Sequence, residues 1–157
     1  MLFRISAAIR QKKISAVEVI EATLARAAVV QEARNPFVTI CAEEALTGAR
    51  AADAAVARGD APGRLHGVPF HVKDLVNTKG VRTTFCSAIY EHNVPAADSV
   101  CVARLKQAGA VLMGKTTSPE FGHMCFTESP RFGRTANAWD PTRTSGGSSG
   151  GAGVALA

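Results

Sequence analysis

The sequence predicts an α/β fold, in which helices pack against a partly parallel sheet. Two segments, residues 15 to about 30 and 42 to 58, carry the apolar spacing or the end signals of helices. Short β-branched or apolar runs stand between and after them, at residues 37–40, 68–72 and 110–113. Helices and strands therefore alternate along the chain, which is the order that α/β proteins share.

The first predicted helix has a clear start signal in the four residues 15–18. The pattern is a capping box, in which the Ser15 hydroxyl accepts from the third helical N–H while Glu18 reaches back to the serine. Apolar residues then recur at helical spacing, namely Val17, Ile20, Leu24 and Ala27. Asn35 and Pro36 are predicted to break the helix.

Residues 37–40 are a short aromatic and β-branched run and are predicted to be a strand or an extended segment. The alanine-rich residues 42–58 follow, with Glu43 and Glu44 near the start and Arg58 before Gly59 at the end. Acidic residues first, basic residues last and then a glycine complement the helix dipole and end a helix. We expect a packing helix over residues 42–58.

Apolar residues alternate with others over residues 68–72, which predicts a strand that ends at Lys73 and Asp74. A lysine at a strand end is usually solvated, so the spacing alone favours a solvated Lys73 over one with a chemical role. Residues 77–87 are rich in threonine and asparagine and are predicted to be a loop.

A later helix is predicted from Asp98 and Ser99, which can cap it, to about residue 108, where Gly109 ends it. Its predicted inner face carries Val100, Ala103 and Ala108. Residues 110–113 follow as a short buried strand.

Residues 109–116 also match the phosphate-loop pattern G-x-x-x-x-G-K-[ST], but in a true phosphate-binding loop the intervening residues must form a loop. Here they are the apolar strand, so we reject nucleotide binding.

Composition narrows the class of protein. The chain has 157 residues, is 46% hydrophobic and 20% charged, and has a net charge of +5, values that are ordinary for one soluble domain. Its basic residues and scattered aromatics form no stripe for nucleic acid. The four histidines lack metal-ligand spacing, and no apolar run is long enough for a membrane span. Four widely spaced cysteines and no signal peptide predict free thiols in a reducing cytoplasm.

Residues 145–151 hold four glycines and three serines. Such a stretch can be a flexible linker, but an apolar segment typical of a buried helix follows it at residues 152–157. A glycine and serine loop that opens a helix presents backbone N–H groups to an anion or a developing oxyanion. We interpret the stretch as a site.

Three segments together resemble the amidase signature family of serine hydrolases, whose members include amidases, fatty-acid amide hydrolases and the A-type subunits of glutamyl-tRNA amidotransferases. They are GRLHGVPFHVKD at residues 63–74, GKTTSPEFG at residues 114–122 and WDPTRTSGGSSGG at residues 139–151. The resemblance runs from about Arg64 to Ala157, and the predicted helices before it are compatible with it. It implies an α/β amidase-signature fold, a mixed β-sheet core covered by helices on both faces, of which only the N-terminal portion is present.

The resemblance also implies a Ser-Ser-Lys triad. On the matching positions, Lys73 is the general base and Ser148 the bridging serine, held by a cis peptide bond from Gly147. Burial favours this role for Lys73, because an apolar setting disfavours the charged amine and lowers its pKa. Ser149 has no triad role, and Asp74 is expected to orient the strand end or to accept from a backbone N–H.

The chain also departs from the family pattern. The family carries its acylated serine in a D-x-G-G-S-type loop downstream of the glycine and serine stretch, and residues 1–157 contain no such loop. Ser145 stands where proline is common, and residues 85–87 stand where a glycine-serine pair is usual. We expect residues 1–157 to be the N-terminal portion of a single amidase domain, with a mainly helical lead-in at 1–60 and the catalytic segments at 61–157.

These observations predict an amide-bond hydrolase that acts on a small-molecule amide, with no cofactor or metal and no nucleic-acid or membrane partner. We expect residues 1–157 alone to be inactive, because the nucleophile lies beyond Ala157. Two alternatives stay open. The first is a non-catalytic binding or assembly module that self-associates through surfaces exposed by truncation. The second is part of an A-type subunit of a glutamyl-tRNA amidotransferase.

Overall fold

The computed structural model describes residues 2–60 and 62–157. Five α-helices occur in these residues: α1 (Leu2–Arg10), α2 (Ala16–Arg34), α3 (Ala42–Arg58), α4 (Val100–Gln107) and α5 (Gly150–Leu156). The five strands are β1 (Phe37–Ile40), β2 (Pro69–Lys73), β3 (Val111–Thr116), β4 (Glu128–Ser129) and β5 (Gly133–Arg134). Single 3₁₀ turns lie at Ala88–Tyr90 and Glu120–Gly122.

The start of α2 confirms the predicted capping box. The Glu18 N–H donates to Ser15 Oγ at 3.0 Å, and the Ser15 N–H donates to Glu18 Oε2 at 2.7 Å. The next two N–H groups, of Ala16 and Val17, both donate to the carboxylate of Asp53 in α3. The helix therefore begins with its first donors satisfied, two of them by a residue that is distant in the sequence.

Helix α3 has the predicted bounds. It ends at Arg58, and Gly59 follows in the left-handed region at φ 81°, with its N–H turned back onto the carbonyls of Ala55 and Val56. A glycine at this position avoids the steric cost that a side chain carries at positive φ.

The strands form a mixed sheet with the order β1-β3-β2. Strands β1 and β3 are antiparallel, with Phe37 opposite Thr116 and Ile40 opposite Gly114. Strands β2 and β3 run parallel, because the two hydrogen bonds that join their ends, Val111 N–H to Val68 O and Asp74 N–H to Thr116 O, advance in the same direction. The predicted α/β class is confirmed.

Strand β3 continues past the predicted residue 113 and contains Lys115, whose side chain is fully buried. The residues that match the phosphate-loop pattern therefore form a strand, as the rejection of that motif requires.

The predicted inner face of α4 is wrong in one position. Val100 is the first residue of the helix and is 67% exposed, whereas Val102 is fully buried. The first four residues of α4, Val100 to Ala103, are all apolar, so their spacing does not fix which face of the helix is buried.

The chain divides into two compact units, each with its own kind of interior. The first comprises residues up to Arg26, Cys41–Phe70 and Val100–Met113. Its core is apolar and consists of Ile9, Ala16, Ile20, Ala45, Ala49, Ala52, Val111 and Met113. The small alanine side chains let α3 approach its neighbours closely. The apolar faces of the helices are buried in this core.

The second unit comprises Ala27–Ile40, His71–Ser99 and Gly114–Ala157. Its buried side chains are mostly polar: Asp74, Thr78, Thr83, Thr84, Ser87, Lys115, Thr116, Thr117, Ser118, Thr127, Ser129 and Thr135. Buried polar groups are retained where they hydrogen-bond one another, and such networks fix the geometry around them. All predicted site residues belong to this unit.

Across the described stretches 2–60 and 62–157, we find no helix that combines the length and the apolar character needed to cross a bilayer.

Candidate functional site

Lys73 and Ser148 meet in the second unit. Strand β2 ends at Lys73, and the Lys73 Nζ donates to Ser148 Oγ at 2.7 Å. Ser148 follows a cis peptide bond from Gly147 in the loop that precedes α5. The structure therefore brings the two residues singled out in the sequence into direct contact, at the distance of a strong hydrogen bond.

The surroundings of Lys73 favour an uncharged amine. Burial lowers the pKa of Lys73 from its ordinary value of 10.5, because removal from water disfavours the charged form. A thiolate at Cys86 would raise the pKa of Lys73, but burial raises the pKa of Cys86, so that this thiol keeps its proton at neutral pH. Desolvation of Lys73 is therefore the larger effect, and it increases the fraction of the amine that is uncharged and can accept a proton.

The loop at residues 145–151 is packed tightly against its neighbours, and this excludes the linker interpretation. A Cβ on Gly147 would lie 2.8 Å from the Phe126 N, and one on Gly150 would lie 2.3 Å from Thr127 Oγ1. On Gly151 it would lie 2.3 Å from Thr117 Oγ1. Real Cβ atoms do not approach other atoms this closely, so the glycines are present because the backbone itself forms the contact surface.

The expected display of free N–H groups at the start of α5 needs a correction. The Gly150 N–H donates to Thr127 Oγ1 at 3.0 Å, so this donor is already used within the protein. Ser149, next to Ser148, is exposed and makes no capping bond through its side chain.

Asp74 organises the loop beside Lys73. Its side chain is fully buried, and Oδ2 accepts from Thr84 Oγ1 at 2.5 Å, from the Thr84 N–H at 3.0 Å and from the Cys86 N–H at 3.2 Å. Burial raises the pKa of Asp74, while these hydrogen bonds and the charge of Lys115 act in the opposite direction. The sequence allows a backbone donor for Asp74, and the structure supplies two.

Lys115 was not identified as important from the sequence. Its Nζ donates to the Val76 carbonyl at 2.5 Å, to Thr83 Oγ1 at 2.8 Å and to Thr78 Oγ1 at 3.1 Å. A fully buried lysine is tolerated when its donors are satisfied in this way. Its role is to hold the segment after β2 to β3. Its place in the segment at residues 114–122, which resembles the amidase signature family, was the signal that could have identified it.

At this candidate site, a lysine at a strand end contacts a serine hydroxyl in a close-packed glycine loop. Within residues 2–60 and 62–157, no cluster of histidine, cysteine or carboxylate side chains is suited to hold a metal ion. The chain belongs to the Amidase family, whose family model matches residues 18–157.

Individual relatives agree with this assignment. The chain is 46% identical over 149 residues to the A-type subunit of the glutamyl-tRNA(Gln) amidotransferase of Carboxydothermus hydrogenoformans, a match that covers 95% of this chain and 31% of that protein. It is 45% identical over 149 residues to the protein of the same name from Geotalea daltonii, again 95% of this chain and 30% of that protein. The chain therefore spans about a third of the length of the curated relatives it matches.

Solved structures give the same result. A crystal structure of an amidase superposes with a TM-score of 0.90 at 34% identity, covering 99% of this chain and 35% of that one. A protein from a vestigial complex related to an s-triazine catabolic enzyme superposes with a TM-score of 0.94 at 38% identity, covering 98% of this chain and 34% of that one. The amidase-signature fold predicted from the sequence is confirmed for the portion that this chain spans.

Proposed function

We propose that residues 1–157 are the N-terminal portion of a single amidase domain and that the complete domain hydrolyses amide bonds. Lys73 is the general base and Ser148 the bridging serine. The observation that carries the proposal is the 2.7 Å hydrogen bond between Lys73 Nζ and Ser148 Oγ, two residues far apart in the sequence. Their contact, with the lowered pKa of Lys73, suits a proton relay.

In this proposal a nucleophilic serine attacks the amide carbonyl and loses its proton to Ser148 Oγ, while Ser148 passes its own proton to the neutral amine of Lys73. The reverse path returns the proton to the leaving amine, and water then hydrolyses the acyl-enzyme with the same base. An ordinary lysine would be charged at neutral pH and could not accept a proton, so the burial of Lys73 is essential to the scheme.

The nucleophile belongs, in this proposal, to the part of the domain that the relatives have and residues 1–157 do not span. Among the residues that the structure describes, Lys73 is the side chain that hydrogen-bonds Ser148 Oγ, and no second hydroxyl does so. We therefore expect residues 1–157 alone to give no turnover. The substrate is a small-molecule amide, and a cytoplasmic location stays a prediction from the free cysteines.

A second candidate is the A-type subunit of a glutamyl-tRNA amidotransferase. It is supported by relatives of that name at 46% and 45% identity. The same pair of residues would then release ammonia from an amide donor, and a further subunit would be needed for transfer. Hydrolysis of glutamine, compared with hydrolysis of aryl and alkyl amides, distinguishes the two functions.

The test joins residues 1–157 in frame to the remainder of the Carboxydothermus hydrogenoformans relative at the aligned position. We expect the joined protein to hydrolyse an amide and residues 1–157 alone not to. In the joined protein, Lys73→Ala and Ser148→Ala should each lower kcat/KM by about 10²–10⁴-fold, the usual range for loss of acid–base catalysis. The neighbouring Ser149→Ala is the matched control and should stay near the parent rate.

Three outcomes contradict the proposal. Turnover by residues 1–157 alone that is lost in Lys73→Ala would mean that a nucleophile lies within these residues. A joined protein that folds and retains full activity after Ser148→Ala would remove the proton relay. A folded joined protein with no activity on any amide would favour the binding or assembly module.

A further inference from the structure

One buried threonine closes the loop that carries Ser148. Thr127 is fully buried, and its hydroxyl donates to the Gly146 carbonyl at 2.7 Å while it accepts from the Gly150 N–H at 3.0 Å. These two backbone groups stand on either side of Gly147 and Ser148. A hydroxyl is one of the few side-chain groups that donates and accepts at the same atom, so a single residue can join both ends of the loop.

The contact is close and leaves the loop little freedom. A Cβ on Gly150 would lie 2.3 Å from Thr127 Oγ1 and 2.8 Å from Thr127 Cβ. On Gly147 it would lie 2.8 Å from the backbone N of Phe126, the residue before Thr127. The segment that ends at Thr127 therefore forms the surface on which the glycine loop rests.

Thr127 is itself held in place. Its carbonyl accepts from the Thr135 N–H at 3.0 Å, and the Thr135 carbonyl accepts from the Ser145 N–H at 3.3 Å. The backbone of the loop therefore continues a ladder that begins at Thr127, and the hydroxyl reaches the loop from a fixed position. This rigidity matters because a positioning group has to be better ordered than the group it holds.

We propose that Thr127 is a positioning residue for the proton relay, and that its hydroxyl holds Ser148 Oγ at hydrogen-bonding distance from Lys73 Nζ. The inference rests on the proposed role of the Lys73–Ser148 pair. Without the Thr127 hydroxyl, both the Gly146 carbonyl and the Gly150 N–H lose their partner and the loop moves away from Lys73. Water then reaches the amine, which reduces its desolvation.

The test compares Thr127→Val, which keeps the shape and removes the hydroxyl, with Thr127→Ser, which retains it. Thr135→Val is the matched control. Thr135 is equally buried, and its hydroxyl also makes two hydrogen bonds, to Thr117 Oγ1 at 2.6 Å and to the Asn35 carbonyl at 2.8 Å, but none to residues 146–150. The backbone groups through which Thr135 bonds Thr127 and Ser145 are unchanged by the substitution. Both valine variants lose two buried hydrogen bonds, so both lose stability.

The readout is the pH profile of competitive acetylation of Lys73, followed by mass spectrometry, which requires no turnover. We expect the midpoint for Lys73 to rise in Thr127→Val and to stay at the wild-type value in Thr127→Ser and Thr135→Val. Below the midpoint, labelling slows about tenfold for each unit by which the pKa rises. Cys86, the titratable neighbour whose charge acts on Lys73, is the same in all four proteins.

The inference would be overturned if the acetylation midpoint of Lys73 were equal in Thr127→Val and Thr135→Val. It would also be overturned if Thr127→Ser did not keep the wild-type midpoint. The proposed function would survive either result, because it depends on Lys73 and Ser148 only.

Should Thr127→Val not fold, amide hydrogen exchange in the wild type and Thr127→Ser still tests the inference. The Gly150 amide should exchange at least about fivefold more slowly than an unbonded loop amide, the factor for one ordinary hydrogen bond. Unprotected exchange of Gly150 in the folded protein would contradict it.

Discussion

Replacement of Gly151 by alanine tests whether close packing requires the glycines that open α5. This helix lies so close to its neighbours that a Cβ on Gly151 would stand 2.3 Å from Thr117 Oγ1, 2.5 Å from Thr117 N and 2.6 Å from the Pro36 carbonyl oxygen. The last two atoms are backbone, and they hydrogen-bond each other at 2.9 Å. Neither can rotate away, so the helix itself must shift.

Gly153 offers a matched control in the same helix, because a Cβ there meets nothing within 4 Å. Alanine is favoured over glycine in a helix by up to about 1 kcal/mol, and both variants share this gain. Gly151→Ala also carries an overpacking cost of roughly 1–3 kcal/mol. The free energy of unfolding of Gly151→Ala should therefore lie about 1–3 kcal/mol below that of Gly153→Ala.

The assay is urea denaturation at about 25 °C, followed by far-ultraviolet circular dichroism, with the slope checked for equality between variants. Gly153→Ala should be as stable as the wild type or slightly more stable. Equal free energies for the two alanine variants would refute the reasoning, because they would mean that α5 can move away from Thr117 without cost. The packed loop would then be no rigid support for Ser148.

Three further predictions concern stability. Burial lowers the pKa of Lys73 in the folded protein below its unfolded value near 10.5, so between these two pKa values the unfolded chain binds more protons than the folded one. In that pH window the free energy of unfolding of the wild type, relative to that of Lys73→Met, should rise with pH. A difference in urea midpoints that does not change with pH would contradict this. Val102→Ala should cost about 2 kcal/mol in urea unfolding and Val100→Ala less than about 0.5, since the first side chain is fully buried and the second is 67% exposed. Ser15→Ala should cost about 1 kcal/mol by loss of the cap on α2, and an unchanged midpoint would mean that the Asp53 contacts suffice.

The helices were predictable where their signals are local. Ser15 and Glu18 mark the start of α2 within four residues, and Gly59 marks the end of α3, because capping depends on groups that are neighbours in the chain. The error at Val100 shows the limit. A short helix that begins with four consecutive apolar residues does not reveal which side faces the core, and only packing decides that Val102 is the buried residue.

The sequence predicted the chemical groups of the candidate site but not the residues that hold those groups in place. Lys73 and Ser148 were identified by resemblance, from motifs that name residue types in order. Thr127 and the partners of Asp74 lie outside those motifs, and a buried threonine looks like a surface residue until its partners are known. Lys115 lies within one of the motifs, but its burial and its partners are visible only in the structure.

The sequence by itself determined the order of the elements from α2 to β3, the caps at the start of α2 and the end of α3, and the family, because each depends on neighbouring residues or on short motifs. Only the tertiary structure decided that the lysine amine lies 2.7 Å from the serine hydroxyl, that the glycine loop is packed and that one threonine joins its two ends. Hydrogen bonds and burial depend on distances in space, which residues far apart in the chain acquire only when the sheet and the loops around it have formed.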